Sequence, residues 1–456
     1  MNHVRQFHLL LASAFTLGMV ACSASPTPDP TATPSLPAPT IVLVDGTPQV
    51  LNGPANPTPT PNLTQANPVQ ISELQYFQRE TRLDVIAKLT NPLEDAIVRD
   101  AQLEVLAVDP AGNRVVQRFL ALRYLFPGET TGLAVSFDLL PGQQLGSVEV
   151  RVNSGIIDRS LDYAQPLTIS QPSWWANSNQ PIATAWLSNG DPYTYTQVVL
   201  YAIAYNTAGQ IIAGGQSLLE FAPGKDKVGI QIPMSSTEEP ARVEIYPWIT
   251  DASSSLEGGS WWQTIKVNDS DFVLTTDHWV GGGAQIQNQS DHLLTGTFYL
   301  LTVSDAQGRV CLVQKGFIDL IWPGEALTFS PGAARLPQES TPYKTDLLIV
   351  PGEFGEHPLA YNPLVTAQGA LVPDVAESIA RVSIINNLNA NISSTVVFVL
   401  LRNADGQIVG GGRLQTGSVP AASSITVDVP VAVIGDLENL TVETSATIPA
   451  DAAIGQ

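Results

Sequence analysis

Val198-Val199-Leu200-Tyr201-Ala202-Ile203-Ala204-Tyr205 runs without a break into Asn206-Thr207-Ala208-Gly209. A strand-forming segment that ends on Asn-x-x-Gly is a hairpin signal: Asn caps its own turn through the side-chain oxygen, and Gly takes the positive φ that follows. The same arrangement occurs at Asp109 to Gly112, Asp305 to Gly308 and Asn403 to Gly406, so the four glycines stand 97, 99 and 98 residues apart. The even spacing identifies one small β-domain repeated four times. Nine, seven and five residues before each Gly lie Leu103, Val105, Ala107; Leu200, Ala202, Ala204; Tyr299, Leu301, Val303; and Val397, Val399, Leu401. Period-two alternation gives each copy one apolar strand face.

Two further landmarks keep register with the turn. An Asn precedes the Gly by 20 or 21 residues (Asn91, Asn189, Asn288, Asn386), each with Leu or Ile two positions earlier, and a Pro-Gly pair follows at Pro127-Gly128, Pro223-Gly224 and Pro323-Gly324. The fourth copy keeps Pro420 but follows it with Ala421. A unit of roughly 100 residues built from short strands and regular turns has the size of an immunoglobulin-type sandwich. The predicted fold is all-β: four tandem immunoglobulin-like β-sandwiches at 67–163, 164–264, 265–361 and 362–450.

The N-terminus carries the address. Residues 1–21 hold Arg5 and an apolar run from Leu9 to Ala21, too short to span a bilayer but matched to the core of a signal peptide. Residues 22–66 are dominated by Pro, Thr, Ala and Asn, a composition that cannot bury a core and reads as a disordered or polyproline stalk. The apolar island Ile41-Val42-Leu43-Val44 interrupts it and has no sequence-level explanation.

Charge and cysteines exclude several roles. Lys and Arg number 21 against 42 Asp and Glu, a formal charge of −21, which argues against a nucleic-acid partner because phosphate binding needs clustered cations. The chain has two cysteines, Cys22 and Cys311. Cys311, in Val310-Cys311-Leu312-Val313, is expected to be a buried, inert thiol.

Catalytic motifs are missing: there is no Gly-x-Ser-x-Gly elbow, His-Glu-x-x-His helix, phosphate-binding loop or Cys-x-x-Cys pair. The expectation is a non-enzyme without cofactors. His278, His292 and His357 have no metal-ligand spacing, and Asn268-Asp269-Ser270-Asp271 falls short of a calcium loop. The tryptophan pairs Trp174-Trp175 and Trp261-Trp262 are the candidate recognition residues, because aromatic faces on a sandwich can stack on sugar rings. Register places Trp174, 35 residues before Gly209, opposite Phe77, Val273 and Leu371 of the other copies, which assigns it to the core. Trp175 then points outward, and Trp175, Trp261 and Trp262 become the possible ligand-stacking residues, with interdomain packing the alternative for the second pair.

Two resemblances follow from these residues. Met19-Val20-Ala21-Cys22 resembles the lipobox of bacterial lipoproteins, with Met in place of the commonest Leu. The resemblance implies that Cys22 is acylated and holds the protein at the extracytoplasmic face of the cell membrane; an ordinary signal peptide with an incidental Cys22 is the alternative. Each repeat resembles the FxLYD-type domain, on Asn189, Val198 through Gly209 and Pro223-Gly224 in the second copy and Asn386 and Val396 through Gly406 in the fourth. That family implies an immunoglobulin-like fold in exported proteins and brings no catalytic residues. The function these readings predict is a non-catalytic spacer, adhesion or scaffolding protein with an envelope protein or polysaccharide as partner. The alternative is a carbohydrate-binding module using exposed tryptophans.

Overall fold

The computed structural model describes residues 41–44, 47–50 and 68–456, apart from 161–163, 177–179, 237, 257–259, 373–377, 436, 451 and 453–456. Cys22 and most of the Pro-rich segment lie outside the described residues. The chain divides into Met1–Gln65 and Ala66–Gln456. In the first part the apolar island finds a local partner: Ile41–Val44 pairs antiparallel with Thr47–Val50.

In the second part each repeat is a sandwich of two antiparallel sheets, and the described elements are strands apart from one 3-10 turn, Ser260–Thr264. In the first repeat one sheet has the order Gln70–Arg79, Arg82–Thr90, Thr130–Asp138, and the other Arg114–Leu125, Ile97–Val108, Ser147–Asp158. The chain thus changes sheets after its second, fourth and fifth strands, as an immunoglobulin-like sandwich does. The first is here termed the Asn sheet, because its central strand leads into the landmark Asn, and the second the hairpin sheet. The remaining Asn sheets centre on Ile182–Asn189, Trp279–Asn288 and Ile379–Asn386, and the hairpin sheets on Thr194–Tyr205, Leu293–Asp305 and Thr395–Arg402.

The landmarks have physical causes. Gly112, Gly209, Gly308 and Gly406 all take positive φ, between 77° and 85°, and in each turn the Asp or Asn side chain accepts from two backbone N–H groups, as Asn206 does from Ala208 and Gln210. The landmark Asn is a buried clamp. Asn288 Nδ2 donates to the carbonyls of His292, Ile321 and Trp322 at 2.8–3.1 Å, and its Oδ1 accepts from Ser290 N at 3.0 Å. Asn91, Asn189 and Asn386 repeat the arrangement. One amide therefore ties the end of a strand to the loop after it and to the far end of the hairpin.

The Pro-Gly landmark varies in detail. Gly128 and Gly324 take the left-handed conformation directly after Pro, whereas in the second and fourth repeats it moves one residue on, to Lys225 and Ala422. Ala421 in place of Gly thus costs the fourth repeat little.

The repeats do not hang as separate beads. The Asn sheet of each packs face to face on the hairpin sheet of the next. A Cβ on Gly132 would lie 2.3 Å from the Tyr246 ring, and one on Gly229 would lie 2.3 Å from Thr302. Glycine at these two positions lets sheets from neighbouring repeats approach closely. Hydrophobic clusters cross the junctions: Tyr201, Ile203, Tyr205 and Trp248 join the core of the first repeat, and Phe298, Leu300 and Val350 join that of the second. Val396 and Phe398 join the third. Eight sheets thus form one continuous stack, on the order of 80 Å long at ~10 Å per sheet.

The junction faces can be located in the register. Six, eight and ten residues before the turn Gly stand Ile203, Tyr201, Val199; Thr302, Leu300, Phe298; and Leu400, Phe398, Val396, but in the first repeat Leu106, Glu104, Gln102. Among the described residues no sandwich precedes that face of the first repeat. It carries polar groups around the exposed Phe119, with Gln117 and Asn153 hydrogen-bonded to Glu104 and Arg151 paired to Glu149. The outer Asn sheet of the fourth repeat is likewise crossed by an Arg381–Asp428 pair at 2.8 Å.

Candidate functional site

The sequence candidates are dispersed, and the stack explains where each one lies. Trp175 does point away from the core of its own sandwich, but outward here means into the next repeat. It is 4 % exposed, its Nε1 donates to Val310 O at 2.7 Å, and Arg309 stacks on its ring at 4.9 Å. Trp175 presents no face to a ligand. The expectation of a stacking residue is corrected: the neighbour it meets is the third repeat.

Trp174 packs against the core of the second repeat, as its register requires. Trp262 is half-buried against the same core. Trp261 belongs to the turn Ser260–Thr264, and its side chain is not among those described.

The histidines do not converge into a metal site. Among the described residues no group of three or more His, Cys, Asp or Glu side chains could hold an ion. His292 contacts Phe354 with ring centroids 4.8 Å apart, and His357 contacts Trp322 at 5.3 Å; both line an open cleft of about 330 Å³ beside Asp291 and Glu356. His278 sits in a turn at φ 62°. Asp269 serves a junction, accepting from Arg402 at 2.6 Å. Cys311 is buried, and burial together with the charge of Asp305 pushes its thiol up to about 12. It is an inert packing residue.

What the structure does assemble is a set of polar locks at the junctions. At the first, Lys88 reaches Glu244 Oε2 at 2.9 Å, and the same oxygen accepts from Tyr205 at 2.8 Å and Tyr246 at 2.5 Å. Arg242 holds the other carboxylate oxygen and stacks on Tyr205. Burial alone would raise the Glu244 carboxyl, but hydrogen bonds from Tyr246, Lys88, Tyr205 and Arg242 outweigh it and bring it to about 2. At the second junction Trp186 Nε1 donates to Gly308 O at 2.7 Å and Lys315 pairs with Glu220 at 2.7 Å. At the third, Arg402 binds Asp269 and Glu443, and Gln285 donates to Glu443 at 3.1 Å.

Glu149, Glu244, Asp346 and Glu443 occupy one register position, opposite the residue six before the turn Gly. Lys88 and Gln285, each three before the landmark Asn, reach the acid of the following repeat at two junctions. Sequence reasoning missed these pairs because the partners lie more than 150 residues apart.

No family model matches the chain. No curated protein matches it either. Among solved structures it is similar at 12 % identity to dimeric latent PorU from Porphyromonas gingivalis, with a TM-score of 0.15, covering 85 % of this chain and 33 % of that one. It is similar at 10 % identity to native E. coli alpha-2-macroglobulin, with a TM-score of 0.13, covering 90 % and 31 %. The chain spans about a third of the length of each, and likenesses at that level carry no argument about function.

Proposed function

We propose that this protein is a non-catalytic scaffold, anchored through acylated Cys22 to the extracytoplasmic face of a bacterial cell membrane, that presents the flanks of a stiff sandwich stack to partners. One observation carries the reading: the same sheet-on-sheet junction is made three times, each with an apolar interface and a polar lock. A chain built for long reach would join its sandwiches end to end; stacking them face to face gives up reach and gains stiffness. The side faces of such a stack are rows of sheet edges, a default surface for binding extended segments. Burial of Trp175 removes the best-placed ring from the sugar-binding alternative.

Two experiments test this. Small-angle scattering of the soluble Cys22→Ala chain should fit one conformation for the four-repeat body, about 80 Å along the stack; a broad distribution of inter-repeat distances would overturn the scaffold reading. In cells, Cys22→Ala should release the protein from the membrane fraction or leave an uncleaved precursor. Unchanged membrane retention would refute the anchor.

A further inference from the structure

We propose that the free edge of the strand Pro342–Val350, in the hairpin sheet of the third repeat, accepts an extended peptide strand from a partner protein, alternately apolar and cationic. The inference rests on the scaffold reading and names the place and chemistry of one binding edge.

Pro342–Val350 pairs with Leu293–Asp305 on one side and ends its sheet on the other. An edge strand turns alternate N–H and C=O groups outward, which is a template for another strand unless something blocks it. The three equivalent edges are less apolar. Ser147–Asp158 carries Glu149 and Arg151, Arg242–Trp248 contains Pro247, and Thr441–Thr447 is largely Thr, Ser and Glu. Pro342–Val350 begins with Pro342, Lys344 and Asp346, but its second half, Leu347-Leu348-Ile349-Val350, is wholly aliphatic, where the fourth repeat has Thr444-Ser445-Ala446-Thr447.

A groove lies along this edge. Leu347, Leu348 and Ile349 line it together with Trp262, Ile265 and Val267, in an open volume of about 480 Å³. Val267 is 42 % exposed despite being apolar. Ile265 and Val267 belong to the edge strand Ile265–Leu274 of the same sandwich's Asn sheet, and Pro192, Thr194, Pro223 and Gly224 of the second repeat close the other side, so the groove runs along the flank where the second and third sandwiches meet. An added strand would seat every second side chain here and leave the others in solvent.

The charges select the partner's sign. Asp226 is the ionisable residue of the groove. On the edge strand, Asp346 is already paired with Lys344 at 2.6 Å, so those two residues add no net charge. Asp226, together with the net charge of −21, favours Lys or Arg at the alternate positions and repels an acidic strand.

The test uses the full mature chain and a blocked decapeptide of alternating valine and lysine, followed by amide hydrogen exchange. Binding should slow exchange across 342–350 about tenfold or more, because outward amides gain partners, and leave 147–158 and 441–447 unchanged. A valine–aspartate decapeptide should give no slowing. Val267→Lys, which fills the groove without touching the ladder, should weaken binding about tenfold. Equal slowing at all four edges, equal binding of the aspartate peptide, or indifference to Val267→Lys would overturn the proposal. So would slowing that rises with protein concentration alone, since it would assign the edge to a second copy of this chain. Because scattering reports the stack independently, a flexible array and an inert edge are distinguishable failures.

Discussion

Replacing Asn386 by Ala tests the buried clamp where its contribution can be worked out atom by atom. The side chain donates to the carbonyls of Ala390, Val419 and Pro420 at 2.9–3.1 Å and accepts from Leu388 N at 2.9 Å. Two of the three carbonyls have a second partner: Ile392 N donates to Val419 O, and Ser423 Oγ to Pro420 O. The substitution therefore strands the Ala390 carbonyl and the Leu388 N–H. At ~1–3 kcal/mol for each group left unpaired, the fourth repeat should lose about 3 kcal/mol. Trp322, buried against the core of that repeat, reports its unfolding in urea, and the transition should move down by on the order of 1 M. Asn386→Asp supplies the control. Its carboxylate can still accept from Leu388 N but faces the carbonyls, so burial raises its pKa and the variant should be most stable when protonated, losing stability as pH rises through that pKa. A shift under ~0.5 kcal/mol for Asn386→Ala, or an Asp variant indifferent to pH, would refute the clamp.

Three other outcomes are expected. Gly229→Val puts side-chain atoms where Thr302 already stands and should loosen the second junction while leaving both sandwiches folded, seen as a longer, more variable particle in scattering; an unchanged profile would mean the junction repacks. At Gly209, φ is 77° and nothing lies within 4 Å of an added Cβ, so Gly209→Val should cost ~1–2 kcal/mol through backbone strain alone, read as a lowered Tm. The Glu244 lock contributes stability above the ordinary carboxylate pKa that is lost as pH falls toward about 2; scattering should show the first junction loosening in that window, and Glu244→Gln, which cannot titrate, should abolish the pH dependence.

Much of the fold was legible because the landmarks are local chemistry at fixed spacing. The Asp/Asn-x-x-Gly turns, the Asn after an apolar strand and the period-two face at Leu103, Val105 and Ala107 all act within a few residues, so the four sandwiches and the core position of Trp174 could be read directly. The same alternation that freed Trp175 from its own core could not say what it met, since Val310 lies 135 residues away. Yet a signal for the stack was present. In Val198–Tyr205 and Val396–Leu401 both faces are apolar, the mark of a strand covered on two sides, whereas the first repeat interposes Gln102 and Glu104. Reading one face of these strands showed the sandwiches; reading the second shows that they touch.

That second face also explains how a repeating junction avoids repeating without limit. Each internal contact pairs an apolar hairpin-sheet face with the Asn sheet before it, so identical repeats would offer an adhesive face at each end and associate head to tail. The end repeats break the rule in complementary ways. Docking on the first repeat would bury Glu104, whose hydrogen-bond partners Gln117 and Asn153 carry no charge. The fourth repeat has Ser383 three residues before its landmark Asn, where Lys88 and Gln285 serve the internal junctions, and presents only a short hydroxyl at that position. A buried carboxylate without a cation is strongly unfavourable. Polarity at these few register positions therefore acts against end-to-end association, and directs the proposed partner strand to the flank of the stack at Leu347–Val350.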